Sequence, residues 1–327
     1  MTHSNHLHGL SGSSAPVLPS PPAIAASASA AYATNVQLRS IPLCAVLLLC
    51  ATGCRAPIPQ ASIQQPSVQL VSSGGDATVT DVRFPSPAIG GQLWYRAIVP
   101  KVAPGERLPV LYLLPGGMSN PPDTQEHANA LQQAIAQRLI VVIPNPGFSW
   151  YTNAKHRQNA RWEDAIAYDL VRDVESRFPV LTGRRHRGLA GVSMGGYGAV
   201  KLALKHPELY GFAASMGGAF DVTRRWPNLF NPGQSWSEWN VFGFRPSARL
   251  DEDVFALLDR ATAPQNVKWF ASCGSDDSFS SDNTRLLHRL RERGATVDTV
   301  VTPGAHNWQT WNNMLPQLYK DAGESLR

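Results

Sequence analysis

The run Gly191-Val192-Ser193-Met194-Gly195-Gly196-Tyr197-Gly198-Ala199 constrains this chain more than any other stretch. It fits G-x-S-x-G, the spacing that lets a serine sit on a sharp strand-to-helix turn. Such a turn strains the serine backbone, and bulky side chains two positions away on either side would collide. Gly191 and Gly195 remove those side chains. The turn lifts Oγ above a sheet and aims the first helix N–H groups at a developing negative oxygen. The flanks agree: residues 187–192 read as a short apolar strand, residues 199–205 carry apolar side chains at helical spacing, and His206-Pro207 supplies a stop. A glycine-rich turn with an incidental serine would not require a strand before it and a helix after it.

The rest of the chain alternates in the same way. Strands are expected at 78–84, 92–99, 109–114 and 139–143, then at 212–216, 267–273 and 297–301. The runs 109–114 and 139–143 are continuously apolar, as in strands buried on both sheet faces. In 92–99, Leu93, Tyr95 and Ala97 share one face and Trp94, Arg96 and Ile98 the other. Helices are expected at 126–138, 163–178, 282–293 and 308–319; Ile166, Leu170 and Val174 give the second its apolar stripe. Alternating strands and helices predict an α/β fold, a mostly parallel central sheet with helices on both faces. The 327 residues suffice for one such domain of about 250 residues. With 16% charged and 43% hydrophobic residues, the bulk of the chain is globular rather than disordered.

Residues 1–53 differ in kind, holding one charged residue, Arg39. The apolar run 41–49 is too short to span a bilayer and, with Arg39 before it and small residues after, reads as a signal peptide. Ala51-Thr52-Gly53-Cys54 resembles a bacterial lipobox, although Ala51 stands where leucine is usual. Lipidation at Cys54 would place the protein at a membrane, facing periplasm or cell surface; simple cleavage and secretion is the alternative. The long stretch before Arg39 suggests a start further in, near Val36. Residues 55–76, rich in Pro, Gln, Ser and Gly, read as a tether to a catalytic domain at 77–327. Past Cys54 only Cys273 is left, so no disulfide is expected within the domain.

A serine used for acyl transfer needs a base and a group that orients the base. Strand 267–273 leads into Gly274-Ser275-Asp276-Asp277, and strand 297–301 leads into Thr302-Pro303-Gly304-Ala305-His306. An acid and a histidine thus follow two successive strands, on the same sheet edge as Ser193. His306 is the expected base and Asp277 the expected orienting acid, with Asp276 and Asp282 as neighbouring alternatives. Other histidines, His206 among them, read as structural. Oxyanion donors are expected at the Met194 N–H and in the loop after 109–114, at Gly117 or else Met118. The basic run 184–187 has no aromatic interleaving and reads as a solvated loop, so nucleic acid is not an expected partner. No metal-ligand cluster, phosphate loop or dinucleotide fingerprint is present, and no cofactor is implied.

These motifs resemble the putative esterase, or esterase D, family of α/β-hydrolases, over roughly residues 78–320. The resemblance rests on Tyr112-Leu113-Leu114-Pro115-Gly116-Gly117, Ser149-Trp150-Tyr151-Thr152-Asn153, residues 191–199, Cys273-Gly274-Ser275-Asp276-Asp277 and Gly304-Ala305-His306-Asn307-Trp308-Gln309-Thr310-Trp311. It implies an α/β-hydrolase fold and a triad of Ser193, Asp277 and His306, with Asp277 rather than Asp276 as the acid. Pro115 stands where many members carry histidine. The family includes feruloyl and acetylxylan esterases, S-formylglutathione hydrolases, enterochelin esterases and mycolyltransferases.

The expected activity is therefore hydrolysis of small acyl, carbohydrate or phenolic esters through an acyl-serine. An acyltransferase with the same triad and a non-catalytic envelope binding lipoprotein are the competing readings. Residues 221–250 form an aromatic insertion with Trp226, Phe230, Trp236, Trp239, Phe242 and Phe244. It suits either a substrate pocket wall or a satellite core.

Overall fold

The computed structural model describes residues 66–117, 124–225 and 232–327. Cys54, the signal segment, Met118, Trp226 and Phe230 lie outside the described residues. Among the described residues, ten strands form one open sheet: β1 Ser67–Gly74, β2 Ala77–Ser86, β3 Gly91–Pro100, β4 Val110–Leu114, β5 Ile140–Pro144, β6 Arg187–Val192, β7 Phe212–Met216, β8 Lys268–Gly274, β9 Val297–Asp298 and β10 Val301–Thr302. Their spatial order is β1-β2-β3-β5-β4-β6-β7-β8-β10, with β9 also pairing with β8. β1, β2, β3 and β5 pair antiparallel in succession, and every pairing from β5 through β4 to β10 is parallel.

Helices cover both faces because each strand alternates between two apolar sets. Leu93, Tyr95, Tyr112 and Leu189 point into one core with Ile166, Leu170, Leu202, Leu258 and Leu286. Ile98, Leu111, Val141, Ala190 and Phe270 point into the other with Ala130, Ala134, Met314 and Leu318. The first core lies under α2 Trp162–Asp164, the π-helical turn Ala165–Leu170, α3 Val171–Arg177, α4 Met194–Lys205, α7 Val254–Arg260 and α8 Ser280–Glu292. The second lies under α1 Thr124–Gln137 and α9 Trp308–Ser325. Two short helices, α5 Pro232–Phe242 and α6 Pro246–Arg249, occupy the insertion.

Three local expectations change. Residues 67–74, inside the segment read as a tether, form strand β1, turned back on β2 at Gly75-Asp76. Val68, Leu70 and Val71 on it are exposed, so it carries no buried alternation to betray it in the sequence. The strand expected at 297–301 is two short pieces, each paired with β8. The basic run is not a solvated loop. Arg184 donates to the Pro207 and Asn266 carbonyls, His186 meets the Leu326 carbonyl, and Arg187 is buried on Glu175.

Chain order reverses beside β4: the chain passes to β5 on one side of it and returns to β6 on the other. In an open parallel sheet the crevice at such a reversal, beyond the carboxyl ends of the strands, is where ligands bind. β4 runs into Pro115-Gly116-Gly117 and β6 into Ser193, and Leu114 pairs with Gly191 across the two.

Candidate active site

Ser193 has φ 54° and ψ −117°, a conformation that a non-glycine residue adopts only under strain of about 1–3 kcal/mol. Backbone bonds hold it there. Its N–H donates to Met216 O at 3.0 Å, and its carbonyl accepts from Tyr197 N at 3.0 Å and Ala219 N at 3.2 Å. The flanking glycines are required by contact. A Cβ on Gly191 would lie 2.3 Å from the Gly195 carbonyl carbon, and one on Gly195 would lie 1.8 Å from Leu114 O. The serine turn and the end of β4 are thus in backbone contact.

The loops after β8 and β10 are joined. Ser275 N donates to Thr302 O and Asp276 N to Gly304 O, both at 3.0 Å. A Cβ on Gly274 would lie 2.2 Å from Gly304 O. This brings the three expected residues into line: Asp277 Oδ2 lies 2.8 Å from His306 Nδ1, and His306 Nε2 lies 2.9 Å from Ser193 Oγ. Of the alternatives, Asp276 is exposed beside Ser275, and Asp282 pairs with Arg224 at 2.6 Å. Neither faces the imidazole.

Asp277 is buried, which pushes its carboxyl pKa up. The His306 hydrogen bond, the Phe279 N–H at 2.9 Å, the His306 charge and the Cys273 thiol more than offset this and hold it below the usual carboxylate range. A buried carboxylate kept ionised can fix one imidazole tautomer and stabilise its protonated form. Cys273 is shifted the other way: burial, then the Asp277 charge beside it, push its thiol up to about 12. It stays protonated. The imidazole is clamped by ring edges, Phe279 and Trp311 each at 4.9 Å and nearly perpendicular. Trp311 comes from the first turn of α9, which Asn307 caps by accepting from Thr310 N at 3.0 Å. Gly217, at φ 56°, leaves room for the pair: a Cβ there would lie 2.9 Å from Asp277 Oδ2 and 3.3 Å from His306 Nδ1.

Met194 opens α4, so its N–H belongs to the helix-end donors that have no partner within the helix. Gly117 ends the described part of the β4 loop. Phe148 lies over it, since a Cβ on Gly117 would meet Phe148 Cε1 at 2.8 Å. Phe148 is itself exposed and offers an apolar wall beside the loop.

Ser193, Asp277 and His306, together with Gly117 and Phe148, all fall within residues 86–322, the stretch that a model of the Putative esterase family matches. The chain belongs to that family. It is 24% identical over 222 residues to an acetyl esterase of Caldicellulosiruptor saccharolyticus, covering 66% of this chain and 83% of that protein. It is 25% identical over 249 residues to esterase Rv1288 of Mycobacterium tuberculosis, covering 68% of this chain but only 54% of that longer protein. Among solved structures it is similar to FphF, a fluorophosphonate-binding serine hydrolase of Staphylococcus aureus. The TM-score is 0.67 at 24% identity, over 76% of this chain and 99% of that one. The fold is the α/β-hydrolase fold, and this family member is an ester-hydrolysing serine hydrolase.

Sequence reading missed a second polar cluster, at the other end of α4. Lys201 is fully buried; its ammonium reaches Tyr151 O at 2.7 Å, Thr152 Oγ1 at 2.8 Å, and Glu163 and Glu252 each at 3.0 Å. Lys205 bonds both glutamates, and His206 lies 3.2 Å from Glu163. On a helical wheel Lys201 looks like a solvent-facing lysine. Its partners lie about 40 to 50 residues away along the chain, so no local pattern signals them. The insertion divides: Phe242 is buried against Trp150 and Tyr197, while Trp236 and Phe244 are exposed.

Proposed function

We propose that the chain is a carboxylesterase acting on small acyl esters, carbohydrate and phenolic esters included, with Ser193 as nucleophile, His306 as base and acid, and Asp277 as orienting carboxylate. The observation that carries this reading is the continuous Asp277–His306–Ser193 line at 2.8 and 2.9 Å beneath a strained serine. Ser193 Oγ attacks the ester carbonyl while its proton passes to His306 Nε2. The tetrahedral oxyanion accepts from the N–H groups of Met194 and Gly117. Collapse breaks the ester C–O bond, and the leaving alcohol takes the proton from His306. Water then attacks the acyl-serine, losing its proton to His306, which returns it to Ser193 as the acid departs.

The half-exposed serine and histidine, open at the sheet edge, suit an ester carried on a larger alcohol. Phe148 over Gly117 favours a compact acyl group. Export is part of the same proposal: the lipobox-like segment ending at Cys54 would anchor the domain at a membrane surface.

The test is hydrolysis of p-nitrophenyl esters of rising chain length, with feruloyl and acetyl-sugar esters, by wild type and Ser193→Ala. Loss of hydrolysis to near background in Ser193→Ala is expected, since removing such a nucleophile costs about 10⁶ in kcat. Equal rates would overturn the assignment. Added alcohols partition the acyl-enzyme; hydrolysis dominating over transfer is the result expected of an esterase.

A further inference from the structure

We propose that Tyr151 is a positioning residue for the oxyanion loop, fixing the Gly116-Gly117 segment through its hydrogen bond to Pro115, and that the Lys201 cluster holds Tyr151 in place for this purpose. The proposal rests on the reading that Met194 and Gly117 donate to the oxyanion.

The Tyr151 hydroxyl donates to Pro115 O at 2.7 Å. That oxygen belongs to the same planar peptide as the Gly116 nitrogen, so fixing it sets the plane from which the chain continues to Gly117. The loop needs such an outside hold. Proline has no N–H of its own to anchor the start of the loop, and two successive glycines confer little stiffness.

Tyr151 is placed at some cost. Both Trp150 and Tyr151 lie in the left-handed region, at φ 53° and 52°, where bulky residues are rare. Three features pin the segment. Lys201 Nζ donates to the Tyr151 carbonyl, the Tyr151 N–H donates to Ser149 Oγ at 3.1 Å, and the ring fills the space left by Gly198. A Cβ on Gly198 would lie 2.3 Å from Tyr151 Cδ2. Trp150 is held between Tyr197 at 5.8 Å and Phe242 at 5.9 Å. Helix α4 therefore does two things for the oxyanion site. Its first residue supplies one donor, and Gly198 and Lys201 position the tyrosine that fixes the loop carrying the other.

The experiment uses the full chain with p-nitrophenyl acetate, kcat being expressed per serine reactive toward a fluorophosphonate. Tyr151→Phe keeps the ring and removes only the hydroxyl. It is expected to lower kcat by about 10-fold or more, short of the roughly 10²–10³ lost with a donor itself, and to leave KM within about threefold. Tyr95→Phe is the control; it removes another buried hydroxyl, bound to Asp173 away from the site, and should lower Tm with kcat unchanged. A kcat for Tyr151→Phe within about twofold of wild type would overturn the proposal, whatever its Tm. Should that variant not fold, Gly198→Ala decides, because it displaces the ring: a lowered kcat at constant KM supports the proposal, and wild-type kcat overturns it. Activity surviving in Ser193→Ala would instead defeat the underlying reading, so the two failures are distinguishable.

Discussion

Helix α4 carries an acid–base cluster at each end, and the two are built in opposite ways. At its start, Ser193, His306 and Asp277 form a single file of hydrogen bonds in which only the carboxylate is buried. Serine and histidine are half-exposed, so one proton has somewhere to go. Near its end, Lys201, Lys205, Glu163 and Glu252 are saturated by one another, and Lys201 has no exposed surface. Lys205 shows the balance. Burial lowers its ammonium pKa, but Glu252 and Glu163 outweigh this and raise it overall. A cluster with every charge answered is a structural device. One that leaves a nucleophile open to solvent at a sheet edge can do chemistry.

The comparison predicts that substitutions at the first end act on rate and those at the second on stability. After Ser193→Ala, the largest effect is expected from Asp277→Asn, which keeps the shape but favours the wrong imidazole tautomer. kcat should fall by about 10⁴, with a smaller drop in the urea midpoint than in Lys201→Met. A fall smaller than tenfold would remove Asp277 from the mechanism. Next comes Lys201→Met, which leaves two buried glutamates sharing the single ammonium of Lys205. Urea unfolding should show a loss of about 3–5 kcal/mol, while kcat per folded molecule falls far less than in Asp277→Asn. Comparable rate losses in the two variants would erase the distinction between the two ends of α4.

A smaller effect is expected from acid. Burial raises the Glu163 pKa, but Lys201, His206 and Lys205 override it, so Glu163, like Asp277, titrates below the ordinary carboxylate range. Because both folded values lie below the unfolded ones, the stability they contribute is complete above about pH 4. It is lost as pH falls through the folded values. Urea midpoints measured from pH 6 downward should hold until about pH 4 and then drop, with Glu163→Gln less acid-sensitive than wild type. A midpoint that rises on acidification would contradict the sign. The smallest effect belongs to Trp236→Ala, since Trp236 is 60% exposed: stability should stay within about 0.5 kcal/mol. A raised KM for sugar esters alone would assign this face of the insertion to substrate.

Much of the fold was legible because burial is periodic. Residues 212–216 were readable as a strand and appear as β7 with the same bounds, since a strand covered on both faces is apolar almost throughout, with Ser215 its one polar residue. β1 escaped because its Val68 and Leu70 are exposed at the sheet edge, where no buried alternation forms. Glycine spacing likewise carried the serine turn: Gly191 and Gly195 answer contacts within a few residues and with the neighbouring strand.

By itself the sequence determined the strand–helix alternation, the strained serine turn, and the order in which an acid and a histidine follow later strands. These depend on local sterics and on periodicity, which the chain displays in one dimension. The motif already favoured Asp277 over Asp276, but only the tertiary structure turns Asp277 onto His306 and leaves Asp276 exposed, because which of two adjacent side chains faces inward depends on how the β8 and β10 loops bond together. It also decided that Lys201 is a buried hub holding Tyr151 under Pro115. Contacts between residues 36 and 50 positions apart leave no periodic trace, and their cost and benefit exist only once the chain has closed around them.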